Sequence, residues 1–279
     1  MGGVLNPMQP AYAYDHGYDD RELEYLCDLV RQHTGIAMDE TKRDLLYSRV
    51  TRRLKALDVE TFSEYRKLLS SDSSGAETQQ FINSITTNLT AFFRQQEQFD
   101  YLQKLLPDLA QRTTLKVWST AASTGEEPYT IAYILGALLS SVNVRILATD
   151  IDTQVLQTAQ TGVYTLDRLT NTPADFMRNA FLKGTGANEG KIRVKDELKS
   201  LVTFRPLNLL GPWPVSGPFD IVFCRSIVIY FDKPTQRQLF SRLAEVQRAG
   251  SYLFVGPSES LVKVSSDYEL LGHSIYRRK

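Results

Sequence analysis

The chain has 279 residues, 42% of them hydrophobic, enough for one large domain, or one with a small companion, around a sizeable core. Its 32 basic side chains equal its 32 acidic ones, so no global field argues for nucleic acid or an anionic membrane as partner. No apolar run approaches the roughly 20 residues that span a bilayer, and the N-terminus lacks a charged region followed by an apolar core, so a cytoplasmic protein is expected.

Residues 1–19, rich in Gly, Pro, Tyr and Asp without a period, read as a loose tail. Residues 20–88 predict a small helical domain. Leu23, Leu26, Cys27 and Val30 share one stripe of a first helix, with Gly35 as its C-cap. Asp39 caps a second helix over 40–57, and helices over 61–69 and 77–85 flank a polar break at 70–75. A joint at 86–99 leads into an α/β domain, residues 89–279. There 115–119 predicts a strand, 126–139 a helix with Ile131, Ile134 and Leu135 on one face, 144–149 a second strand ending in Asp150, and 153–160 a helix. Residues 162–203 are less regular, with Pro173, a glycine cluster at 184–190, and strands expected at 192–195 and 201–205. FDIVFC, residues 219–224, has β-branched and aromatic character and no charge after Asp220, as a buried strand should. A helix over 235–248, a turn at Ala249-Gly250, and strands at 252–255 and 274–278 complete the pattern.

The chemistry concentrates in 115–152. The first strand breaks at small residues, 121–125, where a backbone can approach a ligand closely. Asp150 follows Gly125 at about the spacing by which a βαβ unit holds a nucleoside ribose. The phosphate-binding G-x-G-x-x-G is absent, and Glu126 and Glu127 stand where a pyrophosphate needs helix amides free of negative neighbours. Acids opening a helix are also ordinary dipole partners. S-adenosylmethionine fits this pattern, being an adenosine without phosphates that carries a sulfonium and an ammonium. In a parallel sheet the C-terminal strand ends share one crevice, which would gather 121–127, Asp150, Asn208-Leu209 and Arg225-Ser226. Asp150 can accept from both ribose hydroxyls, Asn208 can pair with an adenine edge, and Glu127 can face the cationic end or the ribose.

Six blocks in order, ITTNLTAFFR, VWSTAASTGEEPYTIA, ATDIDTQVL, GTGANEGKIRV, FDIVFCRSIVIYF and FVGPSES, resemble the CheR family of chemotaxis receptor glutamate O-methyltransferases, over roughly residues 21–277. The resemblance implies an α/β class I S-adenosylmethionine-dependent methyltransferase fold. That fold is a mostly parallel seven-stranded sheet, here with a small N-terminal all-helical domain and a small antiparallel β-subdomain inserted at about 162–203. It implies cofactor contacts at Asn88, Thr90, Arg94, Glu127, Asp150, Asn208, Leu209, Arg225 and Ser226, with Arg94 and Tyr230 beside the reacting methyl. It also implies a chemoreceptor's cytoplasmic domain as partner and glutamyl methyl esters as product. In some relatives the inserted subdomain adds a receptor C-terminal peptide as a strand, and the GTGANEG turn looks compact as theirs does. A monomer is expected, with no nucleic acid partner. Three departures stand out: Ser226 where the family motif is C-R-N, Pro257 where it is G-H-S-E, and 247–250 in place of a Pro-Gly-Gly turn. Ser226 and Pro257 keep open a second reading, a non-catalytic regulator that binds the cofactor or S-adenosylhomocysteine.

A glutamate acceptor, whose carboxyl in water titrates at about 4.3, is already an anion at neutral pH and needs no general base. The chain must supply orientation and exclude water. Arg94 can hold a carboxylate in a fork and Tyr230 can present a hydroxyl. Residues 41–56 carry Lys42, Arg43, Arg49, Arg52, Arg53 and Lys55 against Asp44. At about 100° per residue, Lys42, Arg49 and Arg53 form a stripe beside Leu46, Val50, Leu54 and Leu57. Such a stripe suits substrate docking to an acidic helical bundle, although a solvated face is the plainer reading. Cys27 and Cys224 read as buried thiols, not a disulfide. His16, His33 and His273 have no metal-ligand spacing, so no metal is expected.

Overall fold

The computed structural model describes residues 20–138 and 141–279; the expected tail at 1–19 and the helix end at Leu139 lie outside the described residues. Four helices, α1 (Asp20–Thr34), α2 (Glu40–Leu57), α3 (Phe62–Ser70) and α4 (Ala76–Ile85), form the first unit. Local chemistry sets their ends. Asp39 accepts the Lys42 amide at the start of α2, and Thr61 and Glu64 form a reciprocal capping box on α3. Gly35, at φ +71°, ends α1 by donating to the Arg31 carbonyl. Leu23, Leu26, Val30, Leu46, Val50 and Leu54 are buried together with Phe62, Tyr65 and Phe81 in one core. Cys27 is half-buried, and Cys224 fully buried.

Next come α5 (Gln96–Lys104), α6 (Leu106–Leu109), β1 (Thr114–Ser119), α7 (Glu126–Leu138), β2 (Asn143–Asp150) and α8 (Thr153–Thr161). A small excursion follows: β3 (Val163–Thr165), α9 (Ala174–Ala180), β4 (Phe181–Lys183), β5 (Lys191–Val194) and α10 (Asp196–Lys199). The chain closes with β6 (Val202–Pro206), β7 (Phe219–Cys224), α11 (Lys233–Glu245), β8 (Gln247–Val255), β9 (Tyr268–Gly272) and β10 (Ile275–Arg278).

The main sheet runs β6-β2-β1-β7-β8-β10-β9. The first five strands are parallel to their neighbours, and β10 is antiparallel to both β8 and β9. From β1 the chain winds outward through β2 to β6, then returns to build the other half from β7. Strand order therefore reverses between β1 and β7, and the crevice at such a switch point is where ligands bind in open α/β sheets. All six residues of β7 are buried, as a central parallel strand requires, and Phe223 stacks on Phe254 with ring centroids 4.4 Å apart. The excursion forms a separate antiparallel sheet, β3-β5-β4.

Several elements differ from the sequence expectation. The strand expected at 201–205 is the edge β6 of the main sheet, and the excursion's own sheet is made instead by β3, β4 and β5. The helix expected over 235–248 ends at Glu245, because β8 begins at Gln247. Ala249-Gly250 is no turn but an irregularity inside β8, where pairing with β7 jumps from Phe219↔Gln247 to Ile221↔Tyr252 and Gly250 takes φ +82°. Helices α5, α6, α9 and α10 and strands β3, β4 and β9 were not expected. Most are too short to show a period.

Candidate functional site

Three cavities meet above the switch point, and Thr87 and Ser226 line all three. The first, of about 160 Å³, is mostly apolar and lies under the helical unit, walled by Ile36, Met38, Leu45, Ile151, Ile227 and Tyr230, with Asp150 at its floor. The second is small and polar, lined by Asn88, Thr90, Arg94, Glu127, Asp150 and Arg225. The third opens between Leu89, Arg94, Ile229, Tyr230 and Pro257.

Asp150 ends β2, and its carboxylate accepts the backbone amides of Ser123 at 2.8 Å and Asp152 at 3.0 Å. Burial pushes its pKa up to about 6, against these amide contacts. Glu127, in the first turn of α7, accepts from the Ser119 hydroxyl at 2.8 Å and pairs with Arg225 at 3.0 Å. Burial raises its carboxyl above the usual range, and Arg225 opposes that rise. Arg225 is itself buried, stacked 5.3 Å from the Phe99 ring centroid. Its guanidinium also donates to Gln95 Oε1 and to the Arg94 carbonyl, which fixes the backbone carrying Arg94. The Arg94 side chain donates to the Leu89 carbonyl and closes that loop on itself. Glu126 lines none of the three cavities: Arg168 pairs with it, the Thr124 hydroxyl donates to it, and Tyr164 donates to the Thr124 carbonyl at 2.7 Å. The excursion's residues Tyr164 and Arg168 thus brace the loop before α7.

Asn88 donates to Asp152 Oδ2 at 2.7 Å, while its carbonyl accepts from the Ser123 hydroxyl at 3.2 Å. These contacts tie the joint between the two units to the tips of β1 and β2. Backbone strain gathers here as well. The non-glycine residues Phe93, Gln95, Ser123 and Ser226 have φ of 55°, 65°, 49° and 58°, a conformation that surrounding structure must impose.

The most extensive device at the site was not read from the sequence. Glu259, 6% exposed, accepts the backbone amides of Ser226, Ile227, Val228 and Ile229 at 2.7–3.3 Å, and also that of Gly256. One buried carboxylate thereby holds the turn that leads to Tyr230 (a nest of successive amides is a natural carboxylate site). Its only sequence trace is the FVGPSES block. From the other side Ala37 donates its amide to the Tyr230 carbonyl at 2.9 Å, and the Lys42 ammonium sits 5.9 Å from the Tyr230 ring centroid.

Of the residues singled out above, Asn88, Thr90, Arg94, Glu127, Asp150, Arg225, Ser226 and Tyr230 gather around these cavities. Asn208 and Leu209 line none of the three. The Asn208 amide donates to the His33 carbonyl at the end of α1 and its oxygen accepts from the Leu210 amide. Leu209 is buried in the core beneath the sheet. The basic stripe is also engaged internally. Arg53 pairs bidentately with Glu77, which the Tyr65 hydroxyl joins at 2.7 Å. Arg49 donates to the carbonyls of Ile85 and Thr86 and to the Thr87 hydroxyl. Lys42 bonds the Ala37 carbonyl at 2.8 Å and lies 3.6 Å from Asp39. The physical reason is proximity: α2 packs along α4 and the 85–87 segment, which capture Arg49 and Arg53, while Lys42 turns back to the 37–39 segment before its own helix. Lys42 and Arg49 still line the first cavity. Among the described residues no group of three or more His, Cys, Asp or Glu could hold a metal ion, and no helix is long and apolar enough to cross a membrane.

Residues 88–277 match the family model for the CheR methyltransferase SAM-binding domain, and residues 21–86 match that for the CheR methyltransferase all-alpha domain. The chain is 43% identical over 260 residues to a chemotaxis protein methyltransferase of Klebsiella aerogenes, spanning 92% of this chain and 89% of that protein. It is 44% identical over 267 residues to chemotaxis protein methyltransferase 2 of Pseudomonas aeruginosa, spanning 93% of each. With the chemotaxis protein methyltransferase of Escherichia coli it shares 42% over 262 residues, spanning 92% of this chain and 90% of that protein.

Proposed function

This chain belongs to the CheR methyltransferase family, and we propose that it esterifies glutamate side chains of a chemoreceptor with the methyl group of S-adenosylmethionine. The observation that carries this reading is the junction at Thr87 and Ser226, where an apolar chamber, a polar chamber of mixed charge and an open groove meet.

The residues present fit the methyl donor. Asp150 borders both chambers, and backbone amides hold its buried carboxylate. Hydroxyl donors such as those of a ribose would add to that support. Ile36, Met38 and Ile151 would cover the base in the apolar chamber. The polar chamber holds two carboxylates, Glu127 and Asp150, and two guanidinium groups, Arg94 and Arg225. Both signs of charge in one small space match a zwitterionic amino-acid end, and a run of phosphates would meet Glu127 and Asp150 directly. Asn208 also ties the loop after β6 to the end of α1 through the His33 carbonyl, and Leu209 is buried beside it in the chain.

When bound, S-adenosylmethionine supplies an electrophilic methyl group on a sulfonium. Arg94 orients the acceptor carboxylate, and no side chain has to remove a proton from it. Arg225, through the Arg94 carbonyl and Gln95, keeps that guanidinium in place. Glu259 fixes the turn that carries Tyr230, which lines both the apolar chamber and the groove. The helical unit over the first chamber keeps bulk water from a step in which opposite charges vanish.

Ser226 donates its amide to Glu259 whatever its side chain, and Pro257 lies at the groove's rim. The acids and cations of the polar chamber, Glu127, Asp150, Arg94 and Arg225, are all in place despite both departures, which favours an enzyme over a non-catalytic binder. Incubation with methyl-labelled donor and chemoreceptor-containing membranes tests this: base-labile label released as methanol is expected. Base-stable label, or binding of S-adenosylhomocysteine with no transfer, would overturn it.

A further inference from the structure

The excursion grips the polar chamber from outside it. Tyr164 of β3 and Arg168 in the helical turn after β3 line none of the three cavities, yet both reach the loop between β1 and α7. The Tyr164 hydroxyl donates to the Thr124 carbonyl at 2.7 Å, and Arg168 pairs with Glu126. The Glu126 side chain is fully buried while that of Arg168 is 38% exposed, so a buried charge opening α7 takes its counter-ion from the unit that carries the separate small sheet. Losing such a partner leaves a buried carboxylate uncompensated. Gly125 is held as closely: at φ +98°, a Cβ added there would lie 2.9 Å from the Tyr164 hydroxyl oxygen and from Ala159 Cβ. Ser123, two residues earlier, donates its amide to Asp150 and its hydroxyl to the Asn88 carbonyl. A second grip falls on the segment before Arg94. Phe92 meets Tyr164 and Phe181 edge-on, with ring centroids 5.2 and 5.4 Å apart, and Phe93 meets Phe176 at 4.9 Å.

We propose that Arg168 and Tyr164 are positioning residues for the methyl donor: through Glu126 and Thr124 they hold the 123–125 turn where Ser123 supports Asp150, so that the small sheet and the donor pocket are stabilised together. The inference rests on the methyl-transfer reading and extends it to residues that line no part of the site. Backbone strain is the physical reason. Ser123 and Phe93 have φ of 49° and 55°, a conformation that side-chain-bearing residues keep only when their surroundings impose it. The excursion supplies that constraint at both places, by a hydroxyl and a guanidinium beside Ser123 and by the Phe176 ring on Phe93. Released from Arg168 and Tyr164, the turn relaxes and the Ser123 amide leaves the Asp150 carboxylate. Linkage then acts in both directions: a ligand that tightens the donor pocket also tightens β3, β4 and β5.

Binding of S-adenosylhomocysteine to the full chain is measured by calorimetry for the native protein and for Tyr164→Phe, Arg168→Gln and Lys183→Ala, at a temperature where circular dichroism shows each to be folded. Y164F keeps its ring among the aromatic neighbours and removes only the hydroxyl, so it decides the matter should R168Q not fold. Lys183, an exposed residue of β4, is the control. Y164F and R168Q should each weaken binding by about fivefold or more, and K183A by less than about twofold. In methyl transfer both variants should raise the KM for the donor and leave the KM for receptor membranes unchanged. At saturating ligand, amide exchange in β5 should slow by about fivefold or more in the native chain and by less than about twofold in R168Q. Melting temperatures that fall while affinity, donor KM and ligand-dependent exchange stay native would reduce the pair to support of the fold and overturn the proposal, as would an equal loss of affinity in K183A. No binding of S-adenosylhomocysteine by the native protein sinks the methyl-donor reading and this proposal with it, whereas native binding with indifferent Y164F and R168Q sinks this proposal alone.

Discussion

The affinity of this protein for S-adenosylhomocysteine should fall with acidity in a way set by Asp150. Its carboxyl is pushed up from 3.8 to about 6 because burial disfavours the charge more than the Ser123 and Asp152 amides favour it. Ribose hydroxyls donate to the ionised form. Binding is therefore fully supported from about one unit above that pKa and lost as pH falls through it. At about pH 5 only about one molecule in ten keeps Asp150 ionised, so the dissociation constant should be about tenfold larger than at about pH 7.5, equivalent to about 1.4 kcal/mol. Stability of the ligand-free protein runs the opposite way for this group: the raised pKa means that ionising Asp150 costs about 3 kcal/mol of folding free energy, incurred as pH rises from about 4 to 6. Calorimetric titration across that range, with far-UV circular dichroism to verify folding at each pH, measures the first effect. Asp150→Asn should bind at least tenfold more weakly at pH 7.5 and lose the part of the pH dependence that Asp150 sets, any remainder coming from Glu127, which burial raises in the same direction. Affinity that varies less than twofold over the range, or an unchanged slope in the Asn variant, would refute the assignment of Asp150 to the ribose.

Glu259→Gln presents an amide NH2 to a nest of backbone donors. It should lower stability by about 2 kcal/mol and depress kcat more than S-adenosylhomocysteine affinity, because Tyr230 lies at the end of the turn; wild-type melting and turnover would show the turn to be self-supporting. Arg53→Ala leaves Glu77 and Tyr65 without their cation in a half-buried setting, and should cost about 2 kcal/mol in denaturant unfolding with no change in the KM for receptor membranes. A raised KM with native stability would return Arg53 to the docking face. Ser226→Asn places at φ +58° the non-glycine residue type that tolerates it well, so unfolding free energy should rise by about 0.5–1 kcal/mol. A loss of stability would mean that the wider side chain clashes with the cavity walls.

Much of this arrangement was legible before any coordinates. The cap at Asp39, the buried run at β7 and the placement of Asp150 at the end of β2 follow from residue types within a few positions of each other, and local sterics and periodicity act over that range. The excursion's strands β3 and β4 were not, because each has only three residues and shows no alternation of its own. Gly250 looked like a turn because its backbone needs positive φ, a need that a bulge inside β8 meets equally well.

The sequence by itself determined the helices of the first unit, α7, α8 and α11 and the central strands of the main sheet, that the ligand crevice lies after β1 and β2, and which family the blocks resemble. Only the tertiary structure decided how polar side chains were spent: Asn208 on the His33 carbonyl 175 residues away, Arg225 on Gln95 130 residues away, and Glu259 on amides some 30 residues before it. Spacing along a chain constrains neighbours within a turn or a strand, whereas a buried charge takes whichever partner the packing of distant segments brings within hydrogen-bond reach.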